Sequence, residues 1–205
     1  MNTQPTPTRL TDRKREAILN AAVAEFRQSG YEATSMDRVA VRAGVSKRTV
    51  YNHFESKEAL FAQILEQLWE RSAEGRELVY TADRPLRDQM IELVMQKLRS
   101  LRDTNFLDLA RVAIAAGIHS PERAREMVAR MNQREESLTI WIRAAAADGR
   151  LKTNDPVFAS TQMHGLVKSF AFWPQISMGQ PPLSDEAQKQ VAEGAVDMFL
   201  ACYGK

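Results

Sequence analysis

The stretch TSMDRVAVRAGVSKRTVYNHF, Thr34 to Phe54, leaves its backbone few options. It reads as two short helices joined by a tight turn. Thr34 is a candidate N-cap, and Asp37 three residues later completes a box-like Thr-x-x-Asp pair. Met36, Val39, Ala40 and Ala43 recur at i, i+3, i+4 and i+7, one apolar face of a helix. Gly44 ends that helix, because glycine enters the left-handed conformation at little cost. Ser46 is placed to cap the second helix. Val45 and Val50 have the N′/N4 spacing of a hydrophobic staple, which fixes the angle of entry. Val50 and Phe54 share the inward face. Lys47 with Tyr51, and Arg48 with Asn52, are i,i+4 pairs on the outward face.

That outward face carries the chemistry of a DNA groove. Lys47 and Arg48 can meet phosphates or guanine edges, and Asn52 can form paired hydrogen bonds to adenine. Thr49 offers a methyl to thymine or a hydroxyl to phosphate. The plain alternative is a short surface helix with ordinary charges. It requires two capped helices, a glycine turn and a basic aromatic face to coincide without purpose.

These residues resemble the DNA-binding domain of the TetR/AcrR family of bacterial regulators. The resemblance spans residues 13–61, with ILNAAVAEFRQSGYEATSMDRVAVRAGVSKRTVYNHFESKEALF as its informative core. Its specific parts are Gly44-Val45-Ser46, the run Val50 to Phe54, and Ser56-Lys57-Glu58-Ala59-Leu60-Phe61. Arg48 departs from the family pattern, where small residues are common; it can add a base contact and alter the operator sequence. Tyr51 and His53 either pack at the edge of a small core or bind backbone phosphates, and the resemblance implies the second. It also implies that Lys57, at the start of a helix capped by Ser56, clamps a phosphate. The expected DNA-contact set is therefore Thr34, Ser35, Ser46, Lys47, Arg48, Thr49, Tyr51, Asn52, His53 and Lys57.

The charge distribution agrees. Residues 1–54 hold nine Lys/Arg and five Asp/Glu, and the remainder holds nineteen against twenty-one. A basic head on a slightly acidic body suits a head that meets phosphate. Ahead of the motif, residues 1–8 are rich in Thr and Pro and are expected to lack structure. A helix then begins at Thr11-Asp12, with Arg13, Lys14 and Arg15 in its first turns. Leu19, Ala22, Val23 and Phe26 form its apolar face, and Gly30 stops it.

The rest of the 205-residue chain reads as helix after helix. Residues 58–79 are expected to form one long helix with the stripe Leu60, Phe61, Ile64, Leu65, Leu68 and Trp69. Further helices are expected over residues 86–101, 105–116, 121–147, 156–173 and 185–203. They are separated by Gly117/Ser120-Pro121, Asp148-Gly149, Asp155-Pro156 and Gly179-Gln180-Pro181-Pro182. No alternating strand pattern competes. The expected fold is all-α: an N-terminal three-helix helix-turn-helix head over residues 9–55, joined by a long helix to a ligand-binding and dimerisation body over residues 56–205.

Within the body, Met90, Phe106, Leu109, Met131, Trp141, His164 and Trp173 are candidate pocket residues, since flexible and aromatic side chains line small-molecule sites. Core packing is the plain reading for each apolar one, and a hydrogen-bonded core or interface histidine for His164. Phe158, Gly165, Val167 and Phe170 on one helix, with Val191, Ala195, Met198, Phe199 and Cys202 on the last, mix small and large residues as close helix packing requires. By resemblance these two helices pair with their copies in a homodimer. Residues 142–176 also look similar to the AefR-like branch of C-terminal domains.

No enzymatic motif emerges. There is no glycine-rich phosphate loop, no metal-ligand spacing and no nucleophile signature; the three histidines lie apart at 53, 119 and 164. No cofactor, no metal and no catalytic residue are expected. Cys202 is the single cysteine, so no internal disulfide forms. No stretch of 18 apolar residues spans a membrane, and a cytoplasmic location is expected. The expected function is a homodimeric regulator, most simply a repressor, that binds a pseudo-palindromic operator and is released by a small apolar or amphipathic effector. The alternatives are a ligand-independent DNA-binding activator and an enzyme with a helical body and a vestigial head.

Overall fold

A computed structural model describes the backbone of residues 10–73, 78–131 and 136–205, and the side chains of these except 69–73, 130 and 131. Among the described residues the chain forms helices and no strand: α1 (Leu10–Ala33), α2 (Met36–Ala43), α3 (Lys47–His53), α4 (Lys57–Ala73), α5 (Leu86–Leu101), α6 (Thr104–His119), α7 (Pro121–Met131), α8 (Ser137–Ala147), α9 (Pro156–Ala171), α10 (Trp173–Ser177) and α11 (Asp185–Tyr203). One isolated antiparallel bridge joins Leu151 to Gly204. The expectation for residues 1–8 falls outside the described residues.

Most helix boundaries follow the sequence signals, and the exceptions have local causes. Gly30 takes φ 77°, ψ 166° and breaks α1 where expected. Ser35, not Thr34, caps α2: its side chain accepts the Arg38 N–H, while Thr34 is buried and donates its hydroxyl to the Gly30 carbonyl at 2.8 Å. The expected helix over 58–79 ends earlier, since Leu78, Val79 and Tyr80 are not helical; residues 74–77 lie outside the described residues. Gly117 does not stop α6, which runs on to His119; it faces Ala124 of α7, where a Cβ on residue 117 would lie at ordinary van der Waals distance, 3.5 Å. The expected helix over 121–147 is two helices, the second entered through Glu136 in extended conformation. The expected helix over 156–173 breaks at Phe172, φ −134°, ψ −62°, before the short α10.

The chain divides into two compact units. The first holds residues up to Trp69 together with Asp108–Met127. Its core combines Ile18, Ala22 and Phe26 of α1, Val39 of α2, Val50 of α3, Leu60 and Ile64 of α4, and Leu109, Val112 and Ala116 of α6. So the head reaches beyond residue 55: the first three turns of α4 and most of α6 close its core. The second unit holds Glu70–Leu107 and Val128–Lys205. There α9 packs against α5, α8, α10 and α11, and α5 against α11. Met90, Leu98, Trp141, Ile142, Met163, Val167 and Val196 are at most 2% exposed and form its centre.

Candidate nucleic-acid interface

The helix-turn-helix is held by local bonds and one buried charge. Gly44 adopts φ 65°, ψ 32° and its N–H bonds back onto α2. Ser46 Oγ accepts the Thr49 N–H at 3.1 Å and capping is complete. Val45 packs against the core beside the fully buried Val50, as the staple requires. Glu25 on α1 is 4% exposed and draws in two arginines of α2. Arg42 Nε lies 2.6 Å from its Oε1 and Arg38 Nε 2.9 Å from its Oε2. Gln28 accepts from Arg42 Nη2 at 2.6 Å and Ser29 from Arg38 Nη2 at 2.9 Å. A buried carboxylate paired with two cations, its Oε1 accepting the Arg42 Nε–H while its buried Oε2 accepts no hydrogen bond, fixes α2, and α2 in turn backs α3.

On α3 the outward residues stand clear. Arg48 and Asn52 are exposed, and Tyr51 is 44% exposed. Among the described residues Arg48 has no ion-pair partner. Lys47 is exposed but reaches Asp37 at 2.7 Å, and that hydrogen bond raises its pKa; its ammonium also lies 6.0 Å from the Tyr51 ring centre. Thr49 is half-buried, its hydroxyl 2.8 Å from Ser46 Oγ. Ser35 and Ser46 are exposed at the starts of α2 and α3, and His53 is half-buried beside Phe54. Thr34 is the correction: buried, with its hydroxyl engaged, it has no side chain to offer a phosphate in this conformation.

Lys57 sits where expected but is already in use. Its Nζ donates to the carbonyls of Tyr31 and Glu32 at 2.9 and 3.2 Å and lies 4.5 Å from the Tyr31 ring centre. It thus ties the end of α1 to the start of α4. Arg15, in the basic first turns of α1, stacks 5.0 Å from the Phe54 ring centre and bonds Gln63 at 2.6 Å, whereas Arg13 and Lys14 are exposed.

The expected pocket residues do not form one group. Met90 and Trp141 are fully buried in the second unit, and Phe106 is buried there beside Phe172. Leu109 belongs to the core of the first unit. Trp173 is 48% exposed, and the side chain of Met131 falls outside the described residues. His164 is the exception to its apolar surroundings: Nδ1 lies 3.0 Å from Glu136 Oε2. Burial opposes the Glu136 charge, but the bond to His164 and the nearby cations of Lys97 and Lys168 override it and hold the carboxyl at about 2. Lys97, Glu136 and Lys168 escaped the sequence reading, because they come from three helices and no spacing unites them.

The expected dimer residues also divide. Phe158, Phe170 and Met198 are 55%, 57% and 62% exposed, and Gly165 and Cys202 are exposed with them, while Val191 is half-buried. Val167, Ala195 and Phe199 instead face inward and are at most 5% exposed.

Residues 18–64 match a sequence profile described as bacterial regulatory proteins of the tetR family. Residues 88–205 match the AefR-like transcriptional repressor C-terminal domain. The chain is 30% identical over 200 residues to the HTH-type transcriptional regulator AcrR of Shigella flexneri, covering 92% of this chain and 90% of that one. A crystal structure of a TetR family transcriptional regulator from Pseudomonas syringae pv. tomato superposes with TM-score 0.84 at 54% identity, over 95% of this chain and 98% of that one. The flavonoid-responsive regulator FrrA superposes with TM-score 0.68 at 27% identity, over 94% of this chain and 97% of that one. The capped turn, the buried Glu25 anchor and the exposed face of α3 are thus parts of a DNA-binding domain, and the chain belongs to the TetR family of transcriptional regulators.

Proposed function

We propose that the protein is a homodimeric repressor released from its operator by a small apolar or amphipathic effector. The observation that carries the reading is the outward face of α3, where Arg48, Tyr51 and Asn52 stand exposed on a helix whose inner face is locked by Val50. Such a helix enters a major groove, with Arg and Asn reading base edges and the flanking Ser35, Ser46, Lys47, Thr49 and His53 meeting backbone. Two such helices in a symmetric dimer read two half-sites about one helical turn apart.

Support for the dimer comes from α9 and α11, which leave Phe158, Phe170 and Met198 in solvent on an otherwise well-packed unit. Support for an effector comes from likeness to FrrA, which is described as flavonoid-responsive. An effector that binds the operator-competent and the operator-incompetent states unequally shifts the balance by that difference in affinity.

The test is a mobility shift with the DNA upstream of the protein's own coding region, at physiological salt and with random DNA as competitor. The expected result is a specific shift with two protected half-sites. No preference over random DNA, there or at any site recovered by selection from random sequence, contradicts the reading.

A further inference from the structure

Asp37 does not perform the role that its spacing from Thr34 suggests. With Ser35 as the cap of α2, the residue three positions on, where a capping box needs its carboxylate, is Arg38. The Asp37 carboxylate instead reaches from α2 to the first residue of α3. Lys47 Nζ lies 2.7 Å from Asp37 Oδ1 and 3.0 Å from Oδ2, so the ammonium straddles both oxygens. The pair sits on the outward side of α3, with the ammonium 6.0 Å from the centre of the exposed Tyr51 ring. Arg48, next along the helix, is exposed and has no ion-pair partner among the described residues. The two cations at the start of α3 therefore differ: one is free, and the other is held by an acid.

An acid beside a surface that meets phosphate opposes binding and calls for a reason. Both partners are largely in water, the Lys47 side chain 60% and the Asp37 side chain 61% exposed, and an ion pair so placed is weak. Such a pair yields to a phosphate pressed against it but competes with one that passes at a distance. On random DNA the protein is held by loose phosphate contacts; on its operator a seated α3 brings a phosphate up to its first turn.

We propose that Asp37 is a specificity-determining residue that acts through Lys47. It withholds the Lys47 ammonium from the phosphates of random DNA and releases it to the phosphate of a correctly seated operator. Lys47 makes the contact, and Asp37 is its positioning residue. This rests on the reading of α3 as the helix that enters the groove.

The test uses the full-length protein with Asp37→Asn, Asp37→Glu, Lys47→Ala and the double variant Asp37→Asn/Lys47→Ala. Each is titrated over a range of salt with an operator selected from random sequence and with random duplex of the same length. Asp37→Asn is expected to bind random DNA about threefold more tightly while operator affinity changes by less than about twofold, so the ratio of the two falls. Its slope of log affinity against log salt on random DNA is expected to steepen by about one, the mark of one more phosphate contact. Asp37→Glu keeps a carboxylate within reach of Lys47 and is expected to match the natural protein on both DNAs. With Lys47 already alanine, the gain from Asp37→Asn is expected to shrink by at least about half. Asp37 is exposed and outside the core, so its variants should melt within about 3 °C of the natural protein. Unchanged affinity and slope on random DNA, equal gains on both DNAs, or Asp37→Glu behaving as Asp37→Asn overturns the proposal. So does a gain as large without Lys47 as with it, which would leave Asp37 acting by its own charge alone. Failure of the groove reading looks different: the natural protein then prefers no selected sequence, and both proposals fall together.

Discussion

The Arg123 guanidinium lies 4.0 Å from the centre of the Tyr31 ring, and its Nη1 is 2.8 Å from Glu32 Oε1. Lys57 approaches the same ring, and the Tyr31 hydroxyl donates to Glu58 at 3.1 Å. Within the first unit, α7 is thereby bonded to the end of α1 and the start of α4. Arg123→Ala is expected to lower stability to urea by about 1 kcal/mol, chiefly through the lost cation–π contact. Arg123→Lys should recover part of the loss, because the charge remains but the planar stacking does not. Equal stability of all three proteins would remove the contact from the account.

Glu25 offers a sharper test of how the motif is held. Glu25→Gln leaves Arg38 and Arg42 facing a neutral amide in a nearly closed site. Both arginines are partly in water, 47% and 40% exposed, which limits the damage. The expected loss is about 2 kcal/mol in chemical denaturation. Operator affinity should fall with it, since α2 backs α3. An unchanged stability would show that α2 is held by its apolar face alone.

Lys57→Ala is expected to act twice. Losing the bonds to the carbonyls of Tyr31 and Glu32 should lower stability by about 1 kcal/mol. The third ammonium donor, aimed by the other two, is the one expected to reach a phosphate. The slope of log affinity against log salt should therefore fall by about one, equally for operator and random DNA. A lost stability with an unchanged slope would assign Lys57 to the end of α1 alone.

The caps show what a sequence can and cannot reveal. Gly44, Ser46 and the Val45–Val50 staple were legible because each acts within four residues. Thr34 and Ser35 are adjacent and both can cap; only the core decides that Thr34 turns inward and Ser35 takes the role. The break before α8 carries no glycine or proline at Glu136, so periodicity ran through it. Glu25 with Arg42, Tyr31 with Arg123, and Glu136 with His164 are partners separated along the chain and brought together only by packing. The all-α fold and the capped turn between α2 and α3 are local properties and could be read; the side-chain contacts that hold them are tertiary and could not.

Glu136 gives the molecule a defined acid response. Its carboxyl sits at about 2 against an ordinary 4.5. A depressed carboxyl contributes stability that is fully present above pH 4.5 and lost as pH falls toward 2. The stability difference between the natural protein and Glu136→Gln should shrink as pH falls from 4.5 toward about 2. A difference that grows on acidification would contradict the His164–Glu136 pair as the cause.

The most direct test of the central claim is the affinity of Arg48→Ala for the selected operator and for random DNA, measured side by side. If α3 reads base edges, operator binding should weaken by about 1–3 kcal/mol while random DNA is bound nearly as before. Equal loss on both would make Arg48 a phosphate contact, and no loss on either would take the exposed face of α3 out of the groove.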